Sequence, residues 1–332
     1  MTLKTRQPSG RVPWPFILVE GPEKSGKSWA AAELSASNRI GQTYWIDLGE
    51  GAADEYGAIP GARYLVVEHD HTFTALLAAV QDVKAEAQKA AEKGEPPVVL
   101  VVDSMTAEWD LLKDWAASRA KGSQTNQRRL RQDPNAEVSV PMNLWNDATA
   151  KHRKLMTTLL TFPGIVVVTA RGKEVAAMDS NGRPVEGSKE YKVEGHKTLA
   201  FDASVWVRMS RSTAPMIVGA RSVHAGIRPG VDEPKTAKDF TLEWLVFDVL
   251  RCDPTQAHVR DLPDADEMAV AKARLWETAQ ELKWSGPELQ RRFAADTGGD
   301  LTKATASDLN AYRDELQLLL SQPEADSDAQ SA

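Results

Sequence analysis

Eight consecutive residues, Gly21-Pro22-Glu23-Lys24-Ser25-Gly26-Lys27-Ser28, carry the strongest chemical signal in the chain. Glycines at both ends of such a loop let backbone N–H groups turn inward around a phosphate, and a helix starting at the second lysine presents its positive end to the same anion. Lys27 is placed to contact β- and γ-phosphates and the Ser28 hydroxyl to hold Mg²⁺; Trp29 follows directly and is counted with the loop as nucleotide-binding. A loop that holds Mg·ATP also needs a carboxylate at the end of a neighbouring strand. The run Val98-Val99-Leu100-Val101-Val102-Asp103 supplies one, so Ser28 and Asp103 are the candidate metal ligands. No Glu follows Asp103, and a water-orienting acid must come from elsewhere. The strand Tyr44-Trp45-Ile46 ends in Asp47-Leu48-Gly49-Glu50, with Glu50 the first choice and Asp47 the second. The catalytic set read from the residues is Lys27, Asp103 and Glu50, with ATP and Mg²⁺ as cofactors.

Short apolar, β-branched runs alternate with longer amphipathic stretches, the pattern of a mostly parallel sheet with crossover helices. Strands are expected at Phe16 to Val19, Tyr44 to Ile46, Tyr64 to Val67, Val98 to Val102, Ile165 to Val168 and Val205 to Met209. Several are apolar at every position, which requires cover on both faces. Lys27 to Ser37, Thr72 to Glu92 and Leu144 to Phe162 read as helices. The expectation is an α/β core over residues 1–262, a module of about three helices over 263–321 capped at Ser285 and Ser307, and a disordered acidic tail over 322–332. The net charge of −7, from 40 Lys and Arg against 47 Asp and Glu, excludes a histone-like polycation, so any nucleic-acid binding must be local. The single cysteine, Cys252, excludes an internal disulfide framework and suits a reducing cytoplasm. No apolar run approaches the roughly 18 residues of a membrane span, so a cytoplasmic location and no membrane partner are expected.

The loop Gly21 to Ser28, the segment Trp45-Ile46-Asp47-Leu48-Gly49-Glu50, the metal strand and the later strands in Gly164 to Glu174 and Lys197 to Arg211 occur in the order of the RecA recombinase superfamily, which the chain resembles over about residues 12–230. The fold so implied is a RecA-like P-loop NTPase core. The stretches Trp145 to Val175 and Tyr191 to Arg211 look like the phage nucleotide-binding proteins that are core-only RecA relatives acting in single-strand annealing and recombination. Glu50 lies one residue later than the catalytic Glu of the RecA superfamily. The resemblance puts a γ-phosphate sensor at Thr169 and Arg171, where RecA has Asn-Gln, and implies DNA contact through two loops following the fourth and fifth core strands. It also implies single-stranded DNA as partner, a homo-oligomeric ring or filament, location in the host cytosol, and a phage or host single-strand DNA-binding protein as a further partner. Arg221 and Arg228 are candidates for reaching a neighbouring subunit's γ-phosphate.

The first DNA candidate is a polar run with Arg119, Lys121, Arg128, Arg129 and Arg131 and no acid between Trp115 and Gln132. Such a strip can release counterions from phosphates; a solvated face is the plainer alternative. The second is the stretch Gly172 to Lys197, expected to be a mobile loop because of Gly182, Gly187 and Gly195. Its bases, Lys189 and Lys192 among them, are nearly balanced by acids, and Tyr191 is available to stack on a base. His69 and His71 have no third ligand at useful spacing and read as a strand-to-helix turn. Two other functions remain open: a RecA-fold replication motor or regulatory ATPase without direct DNA contact, and a small-molecule kinase, which lacks a lid or acceptor-site signature.

Overall fold

The computed structural model describes residues 5, 7–49, 51–179, 183–228, 231–255, 259 and 265–321. The chain divides into two compact units, Met1–Arg260 and Asp261–Ala332.

The first unit runs β1 (Phe16–Gly21), α1 (Lys27–Leu34), β2 (Thr43–Asp47), α2 (Ala53–Tyr56), β3 (Tyr64–Val66), α3 (Phe73–Glu92), β4 (Val99–Asp103), α4 (Met105–Lys121), α5 (Gln124–Gln132) and α6 (Met142–Leu160). It continues through β5 (Ile165–Met178), β6 (Pro184–Glu194), α7 (Leu199–Asp202), β7 (Val205–Arg208), β8 (Met216–Ala220), β9 (Lys235–Thr236) and α8 (Leu242–Trp244), which passes into a π-helical turn, Leu245–Val249. The sheet order is β3-β2-β4-β5-β1-β7-β8-β9, with β6 paired to β5. From β3 to β7 every pairing is parallel, and β6, β8 and β9 add antiparallel strands.

Alternate side chains of the parallel strands enter two separate cores, which is why these strands are apolar at every position. Phe16, Leu18, Leu100, Val102, Val166 and Val168 pack with α3, α4 and α6. Ile17, Val19, Val99, Val101, Ile165 and Val167 pack with α1 and the π-helical turn. Cys252 is buried in the second core. All the parallel strands therefore end on one side, and the segments that follow β1, β2, β4 and β5 are brought together there, the usual place for a ligand in such a sheet. This is the RecA-like P-loop arrangement of a mostly parallel sheet flanked by helices.

Two segments read as loops are regular. The basic run forms the end of α4 and the whole of α5: Ser123 caps α5 by accepting from Asn126 N, and buried Asn126 donates to Ala120 O (2.8 Å) and Ser139 O (2.9 Å). The stretch after β5 is an antiparallel β5–β6 hairpin in which Arg171 faces Glu194 and Glu174 faces Tyr191. Its glycines do not make it a loop: Gly187 has φ 73° within a paired strand, Gly195 follows the strand, and Gly182 lies outside the described residues.

The second unit holds α9 (Ala265–Glu281), α10 (Gly286–Thr297) and α11 (Ala306–Ser321) around Leu275, Leu289, Phe293, Tyr312 and Leu316. Ser285 caps α10, and Gly298, at φ 69°, ends it. The cap of α11 is Thr305 rather than Ser307, which falls inside the helix. Thr305 Oγ1 accepts from Asp308 N (3.2 Å) while Asp308 Oδ2 accepts from Thr305 N (2.9 Å), a reciprocal cap that uses Asp where Glu is commoner. The tail 322–332 lies outside the described residues.

Candidate nucleotide-binding site

The phosphate loop is built by close backbone approach. A Cβ at Gly21 would sit 2.5 Å from Met209 O and 2.8 Å from Ser25 Oγ, so only glycine fits where β1 turns into the loop. Gly26, at φ 90°, is the N-cap of α1; no side chain caps that terminus and its first turn carries no acid. The backbone donors and the positive end of α1 are therefore left to an external anion. Ser25 Oγ donates to Pro22 O (2.8 Å), and Lys27 Nζ donates to Gly21 O (3.1 Å) and Pro22 O (2.9 Å). The ammonium is thus held against its own loop, beside the space a phosphate would fill.

That space is a cleft of about 340 Å³ lined by the loop from Pro22 to Ser28 and by Tyr56, Asp103, Ser104, Arg171, Lys173 and Glu194. Asp103 ends β4, where it is almost fully buried, and Thr169 Oγ1 donates to its Oδ1. Thr169 and Asp103 are thereby one unit, reached from adjacent parallel strands. Ser28 lies in the same cleft, so a hydroxyl and a carboxylate, both hard oxygen donors, are available for Mg²⁺. Arg171 is exposed at the cleft, its backbone N–H donating to Thr106 Oγ1 (2.9 Å). Glu50 lies outside the described residues. Asp47 sits beside Asp103 in the sheet register, and its Oδ1 accepts from Gly49 N (2.9 Å) and Gly51 N (3.2 Å), a turn-holding arrangement.

Sequence alone did not single out Tyr56, Lys173 or Glu194 as cleft residues. Tyr56 meets exposed Trp29 edge to face, with ring centres 5.8 Å apart, and gives the cleft an aromatic wall. Lys173 is ion-paired with Glu194 at 2.5 Å across the root of the hairpin.

The basic residues of the first DNA candidate are all on the surface: Arg119 and Lys121 at the end of α4, and Arg128, Arg129 and Arg131 on α5, away from the anchored Asn126. On the hairpin Lys192 is exposed and stands opposite Lys173, while the Lys189 side chain lies outside what is described. Tyr191 is not available to a base in the way expected, because its ring centre lies 4.0 Å from the Arg208 guanidinium. Arg228 is paired with Asp232 (2.9 Å) and Arg221 donates to Phe201 O (3.0 Å). His69 Nε2 donates to Asp47 O (3.0 Å), and no metal-binding group of three occurs among the described residues.

Beneath the root of the hairpin lies a second titratable cluster. His152 Nδ1 bonds buried Glu108 at 2.9 Å, and the His196 ring packs on His152 with centres 4.2 Å apart. Burial, followed by the nearby His152, Lys197 and Arg153 charges, pushes the His196 imidazole down to about 4.

The family model described as "AAA domain" matches residues 15–210, more than half of the chain. No curated protein matches. Among solved structures, the chain is similar to the RadB recombinase at 16% identity, covering 63% of this chain and 81% of that one, with a TM-score of 0.34. It is also similar to an ATPase from the type III secretion system of pathogenic bacteria at 15% identity, covering 93% and 74%, with a TM-score of 0.35. No helix among the described residues is long and apolar enough to cross a membrane. A phosphate loop after β1, an aspartate at the same end of the sheet on β4, two strands away, and the family match together show that the chain belongs to the AAA-domain family.

Proposed function

We propose that the protein is a Mg²⁺-dependent ATPase that binds single-stranded DNA and acts in phage-type annealing or homologous recombination, as a ring or filament of identical subunits. The reading of the site rests on one arrangement: a phosphate loop whose helix terminus has no cap of its own, facing across a shared cleft buried Asp103, which Thr169 holds from behind. Lys27 turns from the Gly21 and Pro22 carbonyls to the β- and γ-phosphates. Ser28 and Asp103 would hold Mg²⁺, which supplies charge neutralisation on the phosphates when bound. Thr169, already bonded to Asp103, is positioned to feel the γ-phosphate through the metal carboxylate. Glu50, or Asp47 in its place, orients the attacking water.

The DNA half of the proposal is supported by the surface cations of α4 and α5, which have no intervening acid from Asp114 to Asp133, and by Lys192 on the hairpin. Titration of a labelled single-stranded oligonucleotide, with and without Mg·ATP, tests it. Binding that tightens with Mg·ATP is expected; no binding at low salt would leave a RecA-fold regulatory ATPase without direct DNA contact.

A further inference from the structure

Glu20, the residue before the phosphate loop, is a carboxylate with no solvent exposure in a strand otherwise made of apolar residues. Its Oε1 accepts from Arg208 Nε (2.7 Å) and Trp206 Nε1 (3.0 Å), while buried Oε2 has the Tyr191 hydroxyl beside it. Burial raises the Glu20 carboxyl above its ordinary range, against the lowering pull of Arg208. A buried ion pair at such a position is commonly no more stabilising than an apolar residue of similar volume, so stability alone gives little reason for it.

The geometry around Oε2 supplies a reason. A Cβ on Gly172 would overlap both Glu20 Oε2 and the Tyr191 ring, so the hairpin lies directly on the carboxylate. The Tyr191 ring in turn faces the Arg208 guanidinium at 4.0 Å. Gly172 is on β5 and Tyr191 on β6, whose only strand partner among the described residues is β5. On the other side, Glu20 O accepts from Met209 N (2.7 Å), and the next residue, Gly21, supplies a carbonyl that holds Lys27. One chain of contacts therefore runs from Tyr191 and Gly172 through Glu20 and Arg208 to the loop that cradles phosphate.

We infer that Glu20 is a positioning residue that couples the phosphate loop to the β5–β6 hairpin through Arg208 and Tyr191. The inference rests on the ATPase reading above. When Lys27 leaves the Gly21 carbonyl for a phosphate, the backbone next to Glu20 is released from that bond, and the hairpin seated on the carboxylate responds. Lys192 rides on that hairpin, so nucleotide state reaches a basic surface through a buried acid.

Hydrogen exchange of the hairpin amides in the full chain, with and without Mg·ATP, tests this in the wild type, in Glu20→Gln and in Tyr191→Phe. Glu20→Gln keeps the size and one acceptor but removes the charge that holds Arg208; Tyr191→Phe keeps the ring, removes the hydroxyl beside Glu20 Oε2 and serves if the first variant does not fold. Wild type should show about a tenfold change in hairpin exchange on Mg·ATP, and at least one folded variant should bind ATP within about threefold of wild type yet lose most of that change. An equal response in wild type and both variants, or no response in wild type with ATP bound, overturns the coupling. A hairpin response without any DNA binding supports the coupling and removes only the DNA reading. Failure of wild type to bind ATP overturns both.

Discussion

The phosphate-loop end of the sheet and the basic surface of α4 and α5 are held in opposite ways. At the loop, each functional group is tied to backbone or to another buried group: Lys27 to two carbonyls, Asp103 to Thr169, Gly21 against Met209. On α5 the fixed residue is Asn126, and the arginines extend into solvent from a scaffold it pins. A site that must place charge against a phosphate within hydrogen-bond distance requires preorganisation, whereas a surface that attracts a flexible polyanion requires only density of charge. Substitutions in the first region should therefore act in large steps, and those in the second in graded, salt-dependent ones.

The largest step is expected at Lys27. Lys27→Ala should lower ATP turnover by about a thousandfold while far-ultraviolet circular dichroism stays unchanged, since the cation is lost from the phosphates and little packing changes. Turnover near wild type would remove the loop from the chemistry. Glu50→Gln should still bind ATP but hydrolyse it on the order of a hundredfold more slowly. Asp47→Asn should do less, because Asp47 is engaged with Gly49 N and Gly51 N; the opposite ranking in a single-turnover assay exchanges the two roles.

His196 extends the buried side of the comparison to pH. The folded ring takes a proton only near pH 4, whereas an ordinary histidine does so near 6.5. The unfolded chain thus binds more protons in this window, and stability present above pH 6.5 is lost as pH falls toward 4. The loss should be on the order of 2 kcal/mol in urea unfolding at those two pH values, and smaller in His196→Asn. Equal losses in the two proteins would show that the ring is not the group responsible.

The smallest and most salt-dependent effect belongs to α5. Replacing Arg128, Arg129 and Arg131 by Ala should weaken oligonucleotide binding about tenfold near physiological salt and flatten the log–log salt dependence by about 0.7 for each phosphate no longer neutralised. An unchanged slope with unchanged affinity would move the DNA site to the hairpin around Lys189 and Lys192.

Legibility in the sequence follows the same division. The Gly-x-x-x-x-Gly-Lys-Ser spacing dictates backbone conformation directly, and an unbroken apolar run such as Val98 to Val102 fits a strand covered on both faces, so the loop, the sheet and the place of Asp103 could be read. The hairpin was hidden by its glycines and mixed charge, though the alternation Glu190, Tyr191, Lys192, Val193, Glu194 is the period of a strand with one face on the protein. Gln124 to Gln132 holds no glycine or proline and follows a serine cap, signals of a helix that its polarity obscured. Glu20 was not legible at all: one acid in an apolar strand gains meaning only when Arg208, distant in sequence, and Gly172 are brought to it by the sheet.

The central claim, that nucleotide chemistry at the loop and DNA at the basic surface belong to one machine, is tested most directly by steady-state ATP turnover titrated with a single-stranded oligonucleotide. The measurement compares wild type with the Arg128, Arg129 and Arg131 triple alanine variant. Wild-type turnover should rise with DNA to a plateau, and the variant should reach a similar plateau only at about tenfold more DNA. Wild-type turnover that is measurable but indifferent to DNA would contradict the account.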